Sequence, residues 1–166
     1  EQHIRMIKIL KLNNSEPYKV FDKHYQDALS SGEQHVEAIS VSSLNKNKLE
    51  VDSRYVNLKY INDDEWIFFS NYQSQKAYQF ESHDQVAVTI FWKSTYVQVR
   101  MLAKITKSSK NFSDKHFLNR DDKKNALAVS SNQSKPVNSY DEVLKNYNDT
   151  LNNQKILKNR PDYWGG

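Results

Sequence analysis

The chain has 166 residues, which predicts one domain over residues 1–166, and a formal net charge of +4 from 24 basic and 20 acidic residues. The absence of cysteine excludes disulfides and thiolate metal sites and favours a reducing, cytoplasmic environment. No apolar run is long enough for a membrane span and the cations form no single stripe or tail, so we expect neither a membrane nor a nucleic-acid partner.

The N-terminal third predicts a helix and a strand. Apolar and aromatic residues recur at helical spacing from Tyr18 to Leu29, with Ser15 as the cap and Gly32 in the stop signal. Residues 36–43 alternate well enough between apolar and polar to predict a strand. A polar turn at residues 45–48 then leads into the next strand.

The middle of the chain predicts a β-hairpin followed by a helix start. The segments on either side of the polar turn at residues 62–64 are rich in β-branched and aromatic residues. The hairpin exit at residues 70–74 opens a helix with Lys76 in its first turn, where backbone N–H groups, hydroxyls and a lysine favour an anion. Arg54 adds a planar fork suited to phosphate oxygens, so a phosphate-bearing ligand is expected here.

The second half predicts another hairpin and then helices. Residues 85–92 and 96–107 are β-rich runs joined by a short polar turn. The helices that we predict beyond them span residues 112–119, 123–131 and 139–153, the last one opening with a capping box at Ser139 and Glu142. Strands first and helices after indicate an α+β fold around a closed or partly closed antiparallel barrel.

Catalytic groups of the usual kinds are scarce. The 5 histidines show no metal-ligand spacing, 3 glycines cannot build a glycine-rich phosphate loop, and no serine nucleophile elbow occurs. The chain has cations suited to a phosphate but no evident acid, base or nucleophile. This combination indicates that a bound cofactor does the chemistry. We therefore predict no catalytic side chain and no metal ligand.

Simpler structural roles are also open for several of these residues. Arg54 and Lys59 are an odd number of positions apart, so on an ideal strand they face opposite sides and could be solvated rims of a sheet. Core positions are expected for the hairpin aromatics Trp66, Phe68, Phe69, Phe91 and Trp92. Gln98 stands in an apolar strand, and an inward amide there needs a ligand or another strand as its partner.

Short motifs in a fixed order carry a resemblance to a known family. They are Arg54-Tyr55-Val56-Asn57-Leu58-Lys59, Phe68 to Lys76, Phe91-Trp92, Val97 to Arg100, Phe117 with Arg120, Gln133-Ser134 and Pro161 to Gly166. Over nearly its whole length the chain resembles the pyridoxamine 5′-phosphate oxidases. The resemblance implies an α+β, mainly β, antiparallel Greek-key split barrel with flanking helices, a homodimer, and FMN in clefts at the subunit interface.

The resemblance also implies roles by position. The residues that it implies for FMN are Arg54, Val56, Leu58, Lys59, Phe69, Ser70, Gln75, Lys76, Gln98, Gln133 and Ser134. Within this set, Arg54, Ser70 and Lys76 correspond to ligands of the phosphate and ribityl region. Gln98 corresponds to the residue that reads the flavin edge, and Gln133 and Ser134 to a pair that closes the flavin site.

For the substrate, the resemblance implies that a phosphorylated B6 vitamer or a similar small molecule is bound by Lys59, His116, Arg120 and Lys124. The implied reaction is hydride transfer from C4′ of pyridoxamine or pyridoxine phosphate to the flavin, which oxygen reoxidises with release of peroxide. His116, Lys124 and Gln75 stand where the family usually has Tyr, Ser and Arg. Family members continue beyond the Trp-Gly-Gly element into strands with further flavin and substrate residues, and we expect activity to depend on that segment.

Two other classes of function remain open. A related split-barrel flavoenzyme with another substrate, as in phenazine biosynthesis, would keep the FMN residues and differ at His116 and Lys124. A non-catalytic module would bind flavin alone, or would bind nucleic acid with Tyr55, Tyr60 and Trp66 as stacking faces on a basic sheet.

Overall fold

The computed structural model describes residues 6–131 and 135–166. Their contacts group into two compact units. The sheet unit comprises the described part of Glu1–Phe69 together with Gln79–Thr106, and the helical unit comprises Ser70–Tyr78 with the described part of Lys107–Gly166.

The described residues form eight strands and six helices. In chain order they are β1 (Lys8–Leu12), α1 (Glu16–Ser30), β2 (Ala38–Asn45), β3 (Glu50–Asp63), β4 (Glu65–Phe68), β5 (Ser70–Asn71), α2 (Gln75–Ser82), β6 (Gln85–Trp92), β7 (Val97–Lys104), α3 (Lys110–Leu118), α4 (Asp122–Ser130), α5 (Tyr140–Leu151), α6 (Gln154–Lys158) and β8 (Trp164–Gly165). Within the described ranges, no helix combines the length and the hydropathy that crossing a membrane requires.

The long strand β3 organises the sheet unit. Its first half pairs with β2 in antiparallel fashion, and its second half pairs with β4. Strand β2 extends the sheet to β6 and then β7, again through antiparallel pairs. One pair, β1 with β3, is parallel, because the chain passes through α1 and β2 between these two strands and returns in the same direction.

The core of the sheet unit consists of side chains from the inner face of the sheet and from α1. Phe21 and Tyr25 of α1 pack against Trp92, with ring centroids 5.7 and 6.0 Å apart. The buried apolar residues of this core are Ile7, Phe21, Tyr25, Ala28, Val36, Ile39, Val41, Leu58, Ile61, Val86, Val88, Ile90 and Trp92. Trp66 and Phe68 are partly buried against them, as expected for the hairpin aromatics.

The opposite, outer face of the sheet overturns two expectations. Strand alternation buries Trp92, and its neighbour Phe91 therefore points outward and is 57% exposed, so its predicted core position is wrong. Gln98 is the cross-strand partner of Phe91 and is exposed on the same face, so the expected inward amide is also wrong. Tyr55 and Leu102, 79% and 78% exposed, share this outer sheet face.

The helical unit contains the short β5–β8 pair, which α3 contacts, and the helices α4, α5 and α6, which contact one another. Its buried apolar residues are Ala77, Phe117, Ala126, Ala128, Leu157 and Trp164. Helix α5 begins as predicted, with Ser139 Oγ accepting a hydrogen bond from Glu142 N. The predicted helix at residues 139–153 ends two residues early, since Asn153 instead caps the separate helix α6.

Candidate functional site

Arg54 is held on the inner face of β3 by four acceptors. Its Nη1 donates to Val41 O at 3.1 Å and to Ser43 Oγ at 2.7 Å. Its Nη2 donates to Gln79 Oε1 at 2.7 Å and to Asp52 Oδ2 at 2.8 Å. Ser43 and Gln79 are 2% and 3% exposed, whereas the side chain of Asp52 is 52% exposed. Buried neutral groups therefore orient the guanidinium, and Asp52, its carboxylate partner in the described part of the chain, lies at the surface.

Ser43 and Gln79 also bond to each other. Ser43 Oγ donates to Gln79 Oε1 at 2.6 Å, so this oxygen accepts from two donors at once. Sequence reasoning missed both residues. The available signal was Ser43 itself, a hydroxyl at an inward position of an alternating strand, which needs a polar partner when buried.

Other predicted FMN residues of the sheet unit have different environments. Leu58 is fully buried and its backbone N donates to Glu37 O at 2.8 Å, so its side chain belongs to the core. Lys59 is half-buried beside a register shift between Leu58 and Tyr60, which breaks the ideal alternation assumed for this strand. Val56 is half-buried and packs against the core.

Phe69 and Tyr60 form an edge-to-face ring pair with centroids 6.2 Å apart. Burial raises the pKa of Tyr60 above its usual range. The ring centroid of Trp66 lies 4.7 Å from that of Phe21 and 6.3 Å from that of Tyr18. Tyr60 and Trp66 are thus engaged with neighbouring aromatics, unlike the exposed stacking faces that a nucleic-acid module would present.

The start of α2 in the helical unit is built by Asn71 and Ser74. Ser74 is 1% exposed, its Oγ donates to Asn71 O at 2.7 Å, and Ala77 N donates to its backbone oxygen at 3.0 Å. The helix therefore begins where the sequence predicts, with Lys76 half-buried in its first turn and Gln75 exposed.

Two of the predicted substrate residues converge on Trp164. The His116 ring is stacked on the indole with centroids 6.1 Å apart and an angle of 15° between the planes. The Arg120 guanidinium carbon lies 4.7 Å from the centroid of the indole ring, and Phe117 meets that ring edge-on at 5.4 Å. We call His116, Phe117, Arg120 and Trp164 the Trp164 stack.

Arg120 is a partly buried cation without a carboxylate partner among the described residues. Its hydrogen bonds to described groups both use Nη1, which donates to Lys124 O at 2.8 Å and Asn125 Oδ1 at 3.4 Å. Desolvation lowers the pKa of the guanidinium, and the charge of Asp121 opposes this effect. The Nε and Nη2 donors thus suit an anion that arrives from outside.

Lys124 stays a predicted substrate residue. Its backbone oxygen holds Arg120, whereas its side chain is exposed to solvent. The predicted flavin residues Gln133 and Ser134 lie outside the described residues. In the described ranges, no three His, Asp or Glu side chains are placed to hold a metal ion.

The segment that carries Trp164 is itself well anchored. Trp164 O accepts from Arg160 Nη1 at 2.5 Å, and Arg160 Nε donates to Asp114 Oδ1 at 2.6 Å. Lys110 and Arg160 together hold the pKa of Asp114 below its usual range. Trp164 also pairs with Asn71 between β8 and β5.

Gly165 permits a close approach between β8 and Tyr72. A Cβ at this position would lie 2.2 Å from Tyr72 Oη and 2.9 Å from Tyr72 Cζ. The Tyr72 hydroxyl donates to Gly166 O at 2.9 Å, and the predicted FMN residue Ser70 is the strand partner of Gly165. The Trp-Gly-Gly motif therefore has a steric reason for its first glycine.

Comparisons with known proteins agree with this architecture. No protein-family model matches the chain. The chain is 32% identical over 158 residues to the pyridoxine/pyridoxamine 5′-phosphate oxidase of Colwellia psychrerythraea. This match covers 93% of this chain and 71% of that protein. The chain is 30% identical over 153 residues to the enzyme of the same name from Actinobacillus pleuropneumoniae, covering 92% of this chain and 72% of that protein.

Two solved structures share the fold. PhzG from Burkholderia lata 383, in complex with tetrahydrophenazine-1-carboxylic acid, matches with a TM-score of 0.82 at 18% identity over 91% of this chain and 74% of its own. A pyridoxamine 5′-phosphate oxidase-related, FMN-binding protein from Nostoc punctiforme matches with a TM-score of 0.67 at 13% identity over 79% of this chain and 72% of its own.

The fold is thus the mainly β split barrel with flanking helices, as predicted. The chain belongs to the pyridoxine/pyridoxamine 5′-phosphate oxidase family, and the predicted family is confirmed. FMN, the cofactor that the sequence predicts, is the cofactor of this family.

Proposed function

We propose that the chain catalyses the FMN-dependent oxidation of pyridoxamine or pyridoxine 5′-phosphate to pyridoxal 5′-phosphate, with oxygen as acceptor and peroxide as second product. This reaction is a step of pyridoxal phosphate biosynthesis, in the metabolism of vitamin B6. The observation that carries the proposal is Arg120, a partly buried guanidinium with no carboxylate partner among the described residues. A phosphate monoester supplies the anion that such a cation needs.

The donor chemistry of the sheet unit fits an FMN phosphate. Ser43 and Gln79 hold the guanidinium of Arg54 from the buried side, so it is oriented before any ligand binds. Its exposed partner Asp52 makes a contact that a phosphate can replace at small cost, because surface ion pairs are worth about 0–1 kcal/mol. On the outer sheet face, the amide of Gln98 beside the ring of Phe91 offers both the polar and the apolar contact that a flavin edge requires.

In the helical unit, Lys76 in the first turn of α2 adds a cation at the positive end of a helix, and Ser70 adds a hydroxyl nearby in the chain. When bound, FMN supplies the two-electron redox chemistry. The side chains named here then bind and orient, which agrees with the lack of an acid, base or nucleophile in the motifs. Val56, Leu58, Lys59, Phe69 and Gln75 stay predicted FMN residues.

His116, Arg120 and Lys124 are the proposed substrate side of the helical unit. Arg120 binds the phosphate through the Nε and Nη2 donors that its described contacts leave unused. His116 is stacked on the same indole, so both substrate-side residues contact one ring. The exposed ammonium of Lys124 adds positive charge close to the arginine in the chain.

A homodimer is part of the same proposal. The outer sheet face presents Tyr55, Phe91 and Leu102, each more than half exposed, and a second copy of the chain would cover them. Equilibrium sedimentation should give twice the chain mass, and a monomer that binds FMN tightly would contradict the idea. The single FMN-binding domain over residues 1–166 and the cytoplasmic location stay predictions as well.

Aerobic turnover tests the proposed function directly. The FMN-loaded protein is mixed with pyridoxamine 5′-phosphate, and the aldehyde product and peroxide are measured. Arg120→Ala should raise KM for the phosphorylated substrate and leave FMN bound, while Lys145→Ala, an exposed cation of α5, serves as the charge-matched control. Lys76→Ala should weaken FMN more than Lys124→Ala does. Bound flavin without turnover of any B6 phosphate would refute the proposal and favour another substrate or a non-catalytic flavin protein.

A further inference from the structure

We propose that Trp164 is a positioning residue, whose indole ring fixes the Arg120 guanidinium in the orientation that binds the phosphate group. The inference rests on the proposed function, because it takes Arg120 as the group that meets the substrate phosphate. It assigns a role to the Trp-Gly-Gly segment that is separate from strand pairing.

Three contacts define the orientation of the guanidinium. The indole ring lies under it, with 4.7 Å between the guanidinium carbon and the ring centroid. Lys124 O and Asn125 Oδ1 both accept from Nη1, at 2.8 and 3.4 Å. The ring restricts movement out of the plane and the two oxygens restrict rotation within it, so the Nε and Nη2 edge has a defined direction.

The groups that hold Arg120 are themselves buried and hydrogen-bonded. Asn125 is 0% exposed, and its Nδ2 donates to Phe117 O at 2.9 Å and Leu157 O at 3.1 Å. These two bonds leave Oδ1 as the atom that faces Arg120. Trp164 is 3% exposed and is bonded through its backbone to Pro161 and Arg160.

Such an arrangement strengthens anion binding without touching the anion. If a long arginine side chain becomes ordered only when the ligand binds, the loss of its conformational entropy lowers the affinity for that ligand. Here the ring and two oxygens order it beforehand, and the ring face also stabilises a charge that is partly out of water. A flat aromatic surface can do this and an aliphatic side chain of similar size cannot.

The experiment compares Trp164→Phe with Trp164→Leu in the FMN-loaded protein. Affinity is measured for pyridoxal 5′-phosphate and for unphosphorylated pyridoxal. We expect the Kd of the phosphorylated vitamer to rise about tenfold in the leucine variant and about twofold to threefold in the phenylalanine variant. Binding of pyridoxal should stay unchanged in both, since it has no phosphate for Arg120 to meet.

The matched control lies in the sheet unit. Trp92 is 0% exposed and packs against the rings of Phe21 and Tyr25, with no arginine among its described ring contacts. Trp92→Phe removes the same atoms from an equally buried position. It should lower thermal stability and leave the ratio of the two affinities as in the wild type.

A double-mutant cycle separates positioning from folding. In an Arg120→Ala background, Trp164→Phe and Trp164→Leu should change the affinity for pyridoxal 5′-phosphate less than twofold, because the group that the ring positions is gone. Equal losses for both vitamers, or a full effect of the ring in the absence of Arg120, would overturn the inference while wild-type turnover leaves the proposed function standing. A wild-type protein that binds no phosphorylated vitamer would overturn both. If the leucine variant does not fold, the phenylalanine variant decides alone.

Discussion

The buried oxygen of Gln79 offers a strong test of how the Arg54 site is built. Gln79 Oε1 accepts one hydrogen bond from Ser43 and one from the guanidinium of Arg54, at 2.6 and 2.7 Å. Gln79→Leu keeps most of the volume and removes the acceptor. A buried hydroxyl and one N–H of a charged group then lose their partner.

The expected cost follows from these two bonds. A neutral hydrogen bond contributes about 1 kcal/mol and one to a charged group about 1.5–3 kcal/mol. Because the side chain of Arg54 is 18% exposed, water can replace part of the second bond, so we expect the free energy of unfolding to fall by about 2–3 kcal/mol. For a chain of this size, that corresponds to a decrease in Tm of roughly 5–10 °C.

Urea unfolding of the FMN-free protein, followed by far-ultraviolet circular dichroism, measures this loss. Gln79→Glu is the informative comparison, since a carboxylate keeps both acceptor contacts and adds a charge beside Arg54. It should be more stable than the leucine variant, and under the proposed function it should bind FMN more weakly, because it competes for the guanidinium. Gln154→Leu, at an exposed site in α6, should have little effect. A leucine variant at position 79 within about 0.5 kcal/mol of the wild type would refute the reasoning.

Two further predictions concern packing and pH. Gly165→Ala should lower the Tm, because the new Cβ would lie 2.2 Å from Tyr72 Oη. Adding Tyr72→Leu to this variant should recover part of the lost Tm. If the Tm does not recover, the clash with Tyr72 is not the cause of the destabilisation. Hydrogen bonds from Lys11 and Asn13 lower the pKa of Asp63 from 3.8, so the carboxylate stabilises the fold above that pH and this contribution is lost as the pH falls through the lowered value. Asp63→Asn should therefore flatten the acid limb of a stability profile below about pH 4, and an unchanged acid limb would show that the pair contributes nothing.

Local sequence signals predicted most elements, since those signals act within a few residues. The spacing of Phe21 and Tyr25 placed α1, and the β-rich run that ends at Trp92 placed β6. Strands β5 and β8 have two residues each and form only because Asn71 and Trp164, which are far apart in sequence, pair with each other. No local sequence pattern therefore predicts these strands. Strand β1 was missed because Lys8 and Lys11 mask its alternation and its partner β3 is distant in sequence.

The candidate site was predicted through motifs, and motifs name the group that contacts a ligand more readily than the group that supports it. Arg54 and Arg120 were identified in this way. Gln79 and Asn125, which orient them, are polar residues at buried helix positions, and that was the only signal available for either. The exposure of Gln98 could have been deduced from the hairpin register. Burial of Trp92 turns its neighbour Phe91 outward, and Gln98 is the cross-strand partner of Phe91 on that outer face.

The two arginines have different surroundings, and each suits the kind of ligand that we propose for it. Arg54 has a carboxylate partner in Asp52 and buried partners in Ser43 and Gln79, so its charge is largely compensated while no ligand is bound. Arg120 rests on the Trp164 ring and on neutral oxygens, which direct the guanidinium without neutralising it. An arginine without an ion pair attracts a small phosphate ester over a longer distance, because the charge of Asp121 acts on Arg120 without a direct contact to the guanidinium. This difference favours Arg120 as the group that captures a substrate, which must bind anew in every cycle, and Arg54 as a ligand of a cofactor that stays bound.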